Sequence, residues 1–261
     1  MFLLRSLLIA FSMYSRIPVP IVEWKQENMK YAIAWLPAVG AVIGALIWGW
    51  SLLAGLVGVM PVLFGAVATA LPLVVSGGFH LDGFCDTVDA LSSHAEKERK
   101  LEILKDSHVG AFAVMGCGLY LLLTFALWAE LGAGSPYVVP LCVGFVASRS
   151  LAGLAAVTFR GAKKTGLLAL FSGAAEKRTA RAMLALWTAA AIVCWAVQSV
   201  PAALCLSAAA GLAFLYYRVM SYRQFGGVTG DLSGFFVQIC ELSMLAAAVI
   251  LQKGMEVSGC I

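Results

Sequence analysis

Residues 61–91 read PVLFGAVATALPLVVSGGFHLDGFCDTVDAL. The segment begins as an apolar run, passes a glycine pair, and continues with three aspartates, Asp82, Asp86 and Asp89. On a helix that turns about 100° per residue, this spacing places the three carboxylates within an arc of about 60°. The pattern therefore predicts a membrane helix, a break at the glycines, and a second helix with an acidic stripe on one face.

Apolar residues dominate the rest of the chain as well. Of the 261 residues, 61% are hydrophobic and 12% are charged, whereas a soluble domain carries about 25% charged residues. Seven runs reach or approach the roughly twenty residues that cross a bilayer. They cover about 31–59, 61–80, 109–131, 136–159, 182–198, 200–217 and 234–251. The sequence thus predicts an all-α, polytopic integral membrane bundle of about seven transmembrane helices, with one catalytic domain over 1–261.

The first residues, MFLLRSLLIAFSMYSRIPVP, differ from a signal peptide. Arg5 interrupts their apolar stretch, and no A-x-A-like cleavage site follows. They predict an interfacial helix that lies on the membrane and ends near Pro18.

Lysine and arginine are concentrated in alternate connections of the predicted bundle, beginning with the segment before the first span. By the positive-inside rule, the amino terminus and these loops face the cytoplasm, and the carboxyl terminus lies outside. The loops at about 77–110 and 218–233 then form a cytoplasmic active-site region. No basic stripe interleaved with aromatic residues indicates a surface for nucleic acid.

The acidic stripe has two interpretations. Three like charges on one helix face repel each other, and a bound Mg²⁺ would relieve the repulsion while bridging the carboxylates to substrate phosphates. The alternative is an ordinary solvated helix face, which the apolar surroundings disfavour. Asp106, in LKDSHVGAF, closes the same polar segment. Lys105 beside it could neutralise charge that develops on a transferred phosphate.

Two charged residues stand inside predicted spans, where a charge is costly and favours a functional interpretation. Arg149 lies in the fourth span and Glu241 in the seventh. The pair could be purely structural, or the Arg149 guanidinium could bind a diphosphate. His80, next to the acidic stripe, is either a histidine satisfied at a helix end or a group that transfers protons or contacts phosphate.

The stretch FGGVTGDLSGFF places glycines, Thr229 and Asp231 just before the seventh span. Glycines such as Gly230 allow backbone N–H groups to turn toward an anion at a helix start. Together with the acidic stripe, this predicts magnesium-assisted transfer of a phosphoryl-linked group at the cytoplasmic surface.

These motifs resemble the cobalamin synthase family, whose members are also called adenosylcobinamide-GDP ribazoletransferases. GGFHLDGFCDTVDAL, KDSHVGAF and GGVTGD with a downstream glutamate carry the resemblance, and YSRIPVP near the start and Arg149 fit it too. The similarity runs over most of the chain in order and spacing. His108 stands where the family pattern predicts a basic Arg or Lys.

The resemblance implies an integral membrane enzyme that performs a last step of vitamin B12 assembly. Such an enzyme joins adenosylcobinamide-GDP to α-ribazole or its 5′-phosphate, releases GMP and requires Mg²⁺. It implies the bacterial or archaeal cytoplasmic (inner) membrane as the location. The expected partners are the corrinoid nucleotide, α-ribazole or its phosphate, and the lipid bilayer; a homo-oligomer is left open.

The resemblance also implies roles for individual residues. Asp82, Asp86 and Asp89 would hold Mg²⁺, and Asp106 would be a remaining ligand or a general base, with Lys105 beside it. The residues expected to contact the substrates are His80, Arg149, Thr229, Gly230, Asp231 and Glu241.

Three other classes of protein fit parts of the pattern. CDP-alcohol phosphotransferases carry a longer signature with an Ala-Arg after the second Asp-Gly, and prenyl-diphosphate transferases show two separated Asp-rich motifs. An ion-coupled transporter would show repeated halves and charges near mid-membrane, whereas these charges gather at one face.

Overall fold

A computed structural model describes residues 2–258, which form α-helices, one 3-10 turn at Ile33–Trp35 and no β-strand. In chain order the helices are α1 (Phe2–Tyr14), α2 (Gln26–Met29), α3 (Leu36–Val57), α4 (Pro61–Ser76), α5 (Phe79–Ser92), α6 (Lys97–Ile103), α7 (Ala111–Leu131), α8 (Val138–Thr158), α9 (Leu167–Ala174), α10 (Lys177–Gln198), α11 (Val200–Phe225) and α12 (Gly230–Val257). The all-α prediction is confirmed. The predicted domain, 1–261, extends beyond the described residues at both ends.

Within the described chain, six helical segments are long and apolar enough to cross a bilayer, and the bent pair α4–α5 brings the number to seven. The six segments are Gln26–Val57, Ala111–Leu131, Val138–Thr158, Lys177–Gln198, Val200–Phe225 and Gly230–Val257. Leucine and valine side chains are exposed along these helices, as expected of surfaces that face lipid. The chain is therefore a multi-pass membrane protein, and α1 is a separate short apolar helix before the first crossing.

The break between α4 and α5 lies at the glycine pair. Gly77 and Gly78 adopt φ values of 66° and 78°, in the left-handed region that glycine enters without a Cβ penalty. The two helices differ in direction by 96°, so α5 leaves the path of α4. The crossing helix consequently ends at Ser76, before the predicted limit of 80.

Two other predicted boundaries mark the ends of apolar runs, but the helices themselves extend beyond those ends. Helix α11 continues to Phe225, past the predicted end at 217, and α12 begins at Gly230 instead of 234. Hydropathy marks the part of a helix that lies in hydrocarbon, whereas backbone hydrogen bonding continues into the polar residues beyond it.

Glycines in the first crossing allow α3 to pack closely on α8. A Cβ on Gly40 would overlap the Phe145 carbonyl, and one on Gly44 would overlap the Cys142 carbonyl. Close approach through small residues is a common basis of helix association in membranes. Helix α8 is the most enclosed of the crossing helices, with 72% of its apolar window buried.

The two ends of the bundle differ in character. At one end, Lys253 near the end of α12 pairs with Glu130 of α7 at 2.7 Å, and Ser135 donates a hydrogen bond to Gln252. The other end gathers α5, α6, α9 and the loop over residues 160–166, with the remaining charged residues concentrated around them. The candidate site lies at this second end.

Candidate active site

A cleft of about 620 Å³ opens between the start of α5, the start of α12, the loop over residues 160–166 and α9. We call it the basic cleft, because cations outnumber acids in its wall. The charged residues that line it are Asp82, Arg160, Lys163, Lys177, Arg181 and Asp231. This is the kind of wall that an anionic ligand with its counter-ion requires.

Close packing of α5 on α12 sets the acidic side of the cleft. A Cβ on Gly83 would lie 2.7 Å from the Asp231 carbonyl oxygen, and one on Gly234 would lie 2.8 Å from the His80 carbonyl oxygen. Phe84 stacks on Phe235 at the same contact, with ring centroids 5.5 Å apart. Glycine on both helices therefore allows the acidic stripe to reach the first turn of α12.

Three carboxylates share the electrostatic environment that results, and we call Asp82, Asp86 and Asp231 the carboxylate cluster. Burial and the charges of Asp82 and Asp231 raise the pKa of Asp86 from 3.8 to about 6. Lys163 lies 3.9 Å from the Asp231 carboxylate and partly offsets this repulsion. Burial is the larger cause of this raised pKa, and the repulsion between neighbouring carboxylates adds to it.

The donor set suits a hard divalent cation. Across residues 2–258, no group of three or more His, Cys, Asp or Glu side chains is arranged to hold a metal ion unaided. Mg²⁺, however, is usually held by one or two carboxylates together with substrate phosphates and water. A pair of aspartates that repel each other beside a cleft of the size that holds a nucleotide-sized ligand fits that mode of binding.

Asp89, the third member of the acidic stripe, is engaged elsewhere. Its carboxylate accepts hydrogen bonds from the backbone N–H of Gly110 at 2.6 Å and of Ala113 at 2.8 Å. It therefore holds the start of α7, where unpaired N–H groups attract a carboxylate. Asp82, Asp86 and Asp231 therefore interact electrostatically with one another, whereas Asp89 positions the start of α7.

Asp106 does not join the cluster either. Its carboxylate is more than half exposed and binds the backbone N–H and the ring of His108, at 3.0 Å and 2.7 Å. The short turn after α6 directs it toward solvent and His108, and its role as a metal ligand or general base stays a prediction. Burial lowers the pKa of Lys163. Lys105 lies close enough for its positive charge to lower that pKa as well, by a smaller amount.

The start of α12 faces the basic cleft, as the glycine-rich loop predicts. Thr229 caps the helix by accepting a hydrogen bond from the Leu232 N–H at 3.2 Å. Val228 exchanges backbone hydrogen bonds with the neighbouring loop, donating to Arg160 at 3.0 Å and accepting from Ala162 at 2.9 Å. The two loops are thus tied together, and Gly230 and Thr229 line the cleft where a phosphate could meet the positive end of the helix.

Arg149 and Glu241 lie away from the basic cleft and form a buried ion pair. The Arg149 guanidinium contacts the Glu241 carboxylate directly, and Ser148 donates a further hydrogen bond to Glu241 at 2.8 Å. The side chains are 1% and 10% exposed, so neither reaches the cleft. This geometry matches the interpretation of the two residues as a structural ion pair. In a medium of low dielectric, each charge is stabilised by the other. The two side chains contact each other here and do not line the basic cleft, and their contact with substrate stays a prediction.

His80 points into the protein instead of into the basic cleft. It is 3% exposed, and its Nδ1 has no hydrogen-bond partner among residues 2–258. It lines a small pocket with Ser233 and Gly234 beneath the α5–α12 contact. A direct contact with phosphate in the cleft is therefore not supported for His80.

Sequence reasoning missed the cations of the opposite wall. Lys163 pairs with Asp231, while Arg160 and Arg181 donate to the Gly226 and Val157 carbonyls, both at 2.9 Å. The sequence signal for this wall is the group of six basic residues between the fourth and fifth spans, which also indicates the orientation of the protein. The short helix α9, which completes this wall, lies in the same connection.

Comparison with known proteins gives a consistent result. The sequence model of a family described as cobalamin-5-phosphate synthase matches residues 6–249. A protein of Lachnoclostridium phytofermentans described as an adenosylcobinamide-GDP ribazoletransferase is 42% identical over 256 residues, covering 98% of this chain and 97% of its own. Proteins with the same description from Desulfitobacterium hafniense and Treponema denticola are 34% and 30% identical, covering 94% and 95% of this chain and 96% and 98% of their own. No solved structure matches this chain.

Proposed function

Because this chain belongs to the cobalamin-5-phosphate synthase family, we propose that it is a membrane transferase joining adenosylcobinamide-GDP to α-ribazole or its 5′-phosphate. The products are adenosylcobalamin, or its 5′-phosphate, and GMP. The observation that supports this reaction is the basic cleft. Carboxylates, lysines and the start of α12 all line it.

The reaction is a displacement at phosphorus. A ribose hydroxyl oxygen of the acceptor forms a bond to the phosphorus attached to the corrinoid. The anhydride bond to the second phosphate breaks, and GMP leaves with the electron pair. The hydroxyl proton passes to a carboxylate, and Asp82 in the wall of the cleft is the proposed acceptor.

The cations of the opposite wall bind the diphosphate and neutralise the charge that gathers on the departing GMP. Lys163 is suited to this because burial lowers its pKa while Asp231 keeps it paired in the absence of substrate. The unpaired N–H groups at the start of α12 orient a phosphate without adding a full charge.

We also propose a Mg²⁺ requirement, in which one or two carboxylates of the cluster Asp82, Asp86 and Asp231 would hold the ion together with substrate phosphate and water. Bound there, Mg²⁺ supplies charge neutralisation on the diphosphate oxygens. The pKa of Asp86, which is raised by burial and by the charges of Asp82 and Asp231, supports the cluster as the source of these carboxylates.

The proposed setting is the bacterial cytoplasmic membrane, with the amino terminus, α5 and the basic loops on the cytoplasmic side. The alternation of basic and uncharged connections supports this orientation, since positively charged loops are retained in the cytoplasm. The soluble nucleotide substrate would then reach the cleft directly.

The test is an assay of the purified protein in detergent with adenosylcobinamide-GDP, α-ribazole and Mg²⁺, with GMP measured as product. We expect GMP release that requires both substrates and the divalent cation. Folded, monodisperse protein that releases no GMP with either acceptor would refute the assignment, and uptake of substrate by vesicles without product would favour transport.

A further inference from the structure

A second, shallow and wide-open cleft of about 590 Å³ is also lined by Asp82. We call it the Arg16 cleft, after the one cation in its wall. Its polar and glycine lining consists of Ser15, Arg16, Ser76, Gly77, Gly78 and Asp82. Asp82 and Phe79 line both this cleft and the basic cleft, so the two clefts are neighbours at the start of α5.

The turn between α4 and α5 places Arg16 in this cleft. The Arg16 N–H donates to the Val75 carbonyl at 2.8 Å, which fixes the chain after α1 against the end of α4. A Cβ on Gly77 would lie 2.8 Å from Arg16 Cγ and 3.0 Å from Nε, so the side chain lies across the glycine backbone. Gly77 thus provides both the turn and the space for the arginine.

The Arg16 guanidinium has capacity for a ligand. Arg16 is exposed, and within residues 2–258 its side chain makes no hydrogen bond and has no carboxylate within ion-pairing distance. A guanidinium presents a planar fork of donors that matches two phosphate oxygens. Met13, Phe79 and Leu81 add apolar surface to the same cleft, which suits an aromatic base.

The geometry of displacement at phosphorus gives a reason for two neighbouring clefts with one shared acidic residue, Asp82. The attacking and leaving oxygens lie roughly in line, on opposite sides of the reacting phosphorus. The leaving nucleotide and the incoming acceptor therefore need separate spaces that meet at the reacting atoms. The basic cleft, with several cations, suits the diphosphate donor, and the Arg16 cleft, with one, suits a monophosphate.

Resting on the proposed function, we propose that the Arg16 cleft binds the acceptor nucleoside and that Arg16 binds its 5′-phosphate. Arg16 then determines specificity for the phosphorylated acceptor, while Asp82 faces the acceptor hydroxyl from the shared wall. The family description, which names a 5-phosphate product, is consistent with an acceptor that carries this group.

The test compares initial rates for α-ribazole and α-ribazole 5′-phosphate at saturating adenosylcobinamide-GDP, in detergent free of phospholipid. For Arg16→Gln we expect the KM for the phosphorylated acceptor to rise about tenfold or more, because a charge-assisted contact is lost. The KM for α-ribazole and the KM for the donor should stay within about twofold of wild type. Arg16→Lys, which keeps the charge and loses the fork, should be intermediate.

Arg5→Gln is the matched control, because Arg5 lies on α1, shortly before Arg16 in sequence, but lines a different pocket. It should alter neither KM. An equal change with both acceptors, or no change with the phosphorylated one, would overturn the proposal. A loss that appears only with phospholipid present and is the same for both acceptors would instead assign Arg16 to lipid phosphate. Absence of GMP from the wild-type protein with both acceptors would refute the proposed function itself.

Discussion

The backbone of Asp231 lies directly against Gly83, so that a methyl group on Gly83 would stand 2.8 Å from the Asp231 Cα. This contact joins two segments almost 150 residues apart in sequence. It brings the acidic stripe of α5 to the start of α12, and the carboxylate cluster depends on it.

Gly83→Ala should separate the two helices and disable the site. The added methyl overlaps backbone atoms that cannot move aside, and overpacking of this kind costs about 1–3 kcal/mol of stability. We expect at least a tenfold fall in GMP release per folded molecule, with a lower unfolding temperature. Gly118→Ala on α7, where a Cβ would meet nothing within 4 Å, is the control and should leave both quantities unchanged. Full activity of Gly83→Ala would show that the contact is not needed.

Asp82→Asn should abolish catalysis, whereas Asp106→Asn should not. Asp82 lies in the wall of both clefts, but Asp106 is turned to solvent with His108. We expect a fall of about 10²-fold or more in kcat for Asp82→Asn, and a change within about threefold for Asp106→Asn. Both variants should insert and unfold like wild type. The reverse order of effects would restore Asp106 as ligand or base.

Activity should fall as the pH drops below about 6, where Asp86 takes up a proton. Burial and neighbouring carboxylates raise the Asp86 pKa above its value of 3.8, so the folded state favours the protonated form. The stability that this group contributes is present below pH 3.8 and is lost as pH rises through 6. Above pH 6, added Mg²⁺ should restore it.

The measurement is the unfolding temperature with and without Mg²⁺ at pH 5 and pH 7.5. We expect the larger Mg²⁺ effect at pH 7.5, and a smaller one at both pH values in Asp86→Asn. Without Mg²⁺ at pH 7.5, Asp86→Asn should be at least as stable as wild type, since a repelled charge is gone. An Mg²⁺ effect that is independent of pH and of Asp86 would place the ion elsewhere.

Breaking the Arg149–Glu241 pair should damage stability more than chemistry. Arg149→Leu leaves Glu241 charged and unpaired in the bundle, which costs about 3–5 kcal/mol. The double variant Arg149→Leu/Glu241→Leu should recover most of that loss. GMP release per folded molecule should remain within about threefold of wild type in the double variant. A stable double variant with a large increase in donor KM would return Arg149 to the diphosphate.

Much of the fold could be predicted from the sequence because bilayer crossing and helix periodicity leave local patterns. The apolar runs gave the number of crossings, and the glycine pair marked the turn at Gly77. The spacing of Asp82 and Asp86 placed both on one face of a helix, and the glycine loop before α12 marked a site with Asp231.

The parts that sequence could not provide depend on which way a side chain turns. Periodicity puts Asp89 on the same stripe as Asp82, but only the position of α7 shows that its carboxylate caps Gly110. Asp106 is close to the stripe in sequence, yet a short turn directs it outward. The sequence shows Lys163 only as one cation of a basic loop. The fold places its amine 3.9 Å from the Asp231 carboxylate.

Helix α5 is fastened at both ends to membrane crossings, through the glycine turn from α4 and through Asp89 at the start of α7. Its position is thus fixed relative to both α4 and α7. The position of Asp82 and Asp86 relative to the bundle is therefore set from both ends of α5, and a change at either junction would shift the two carboxylates together.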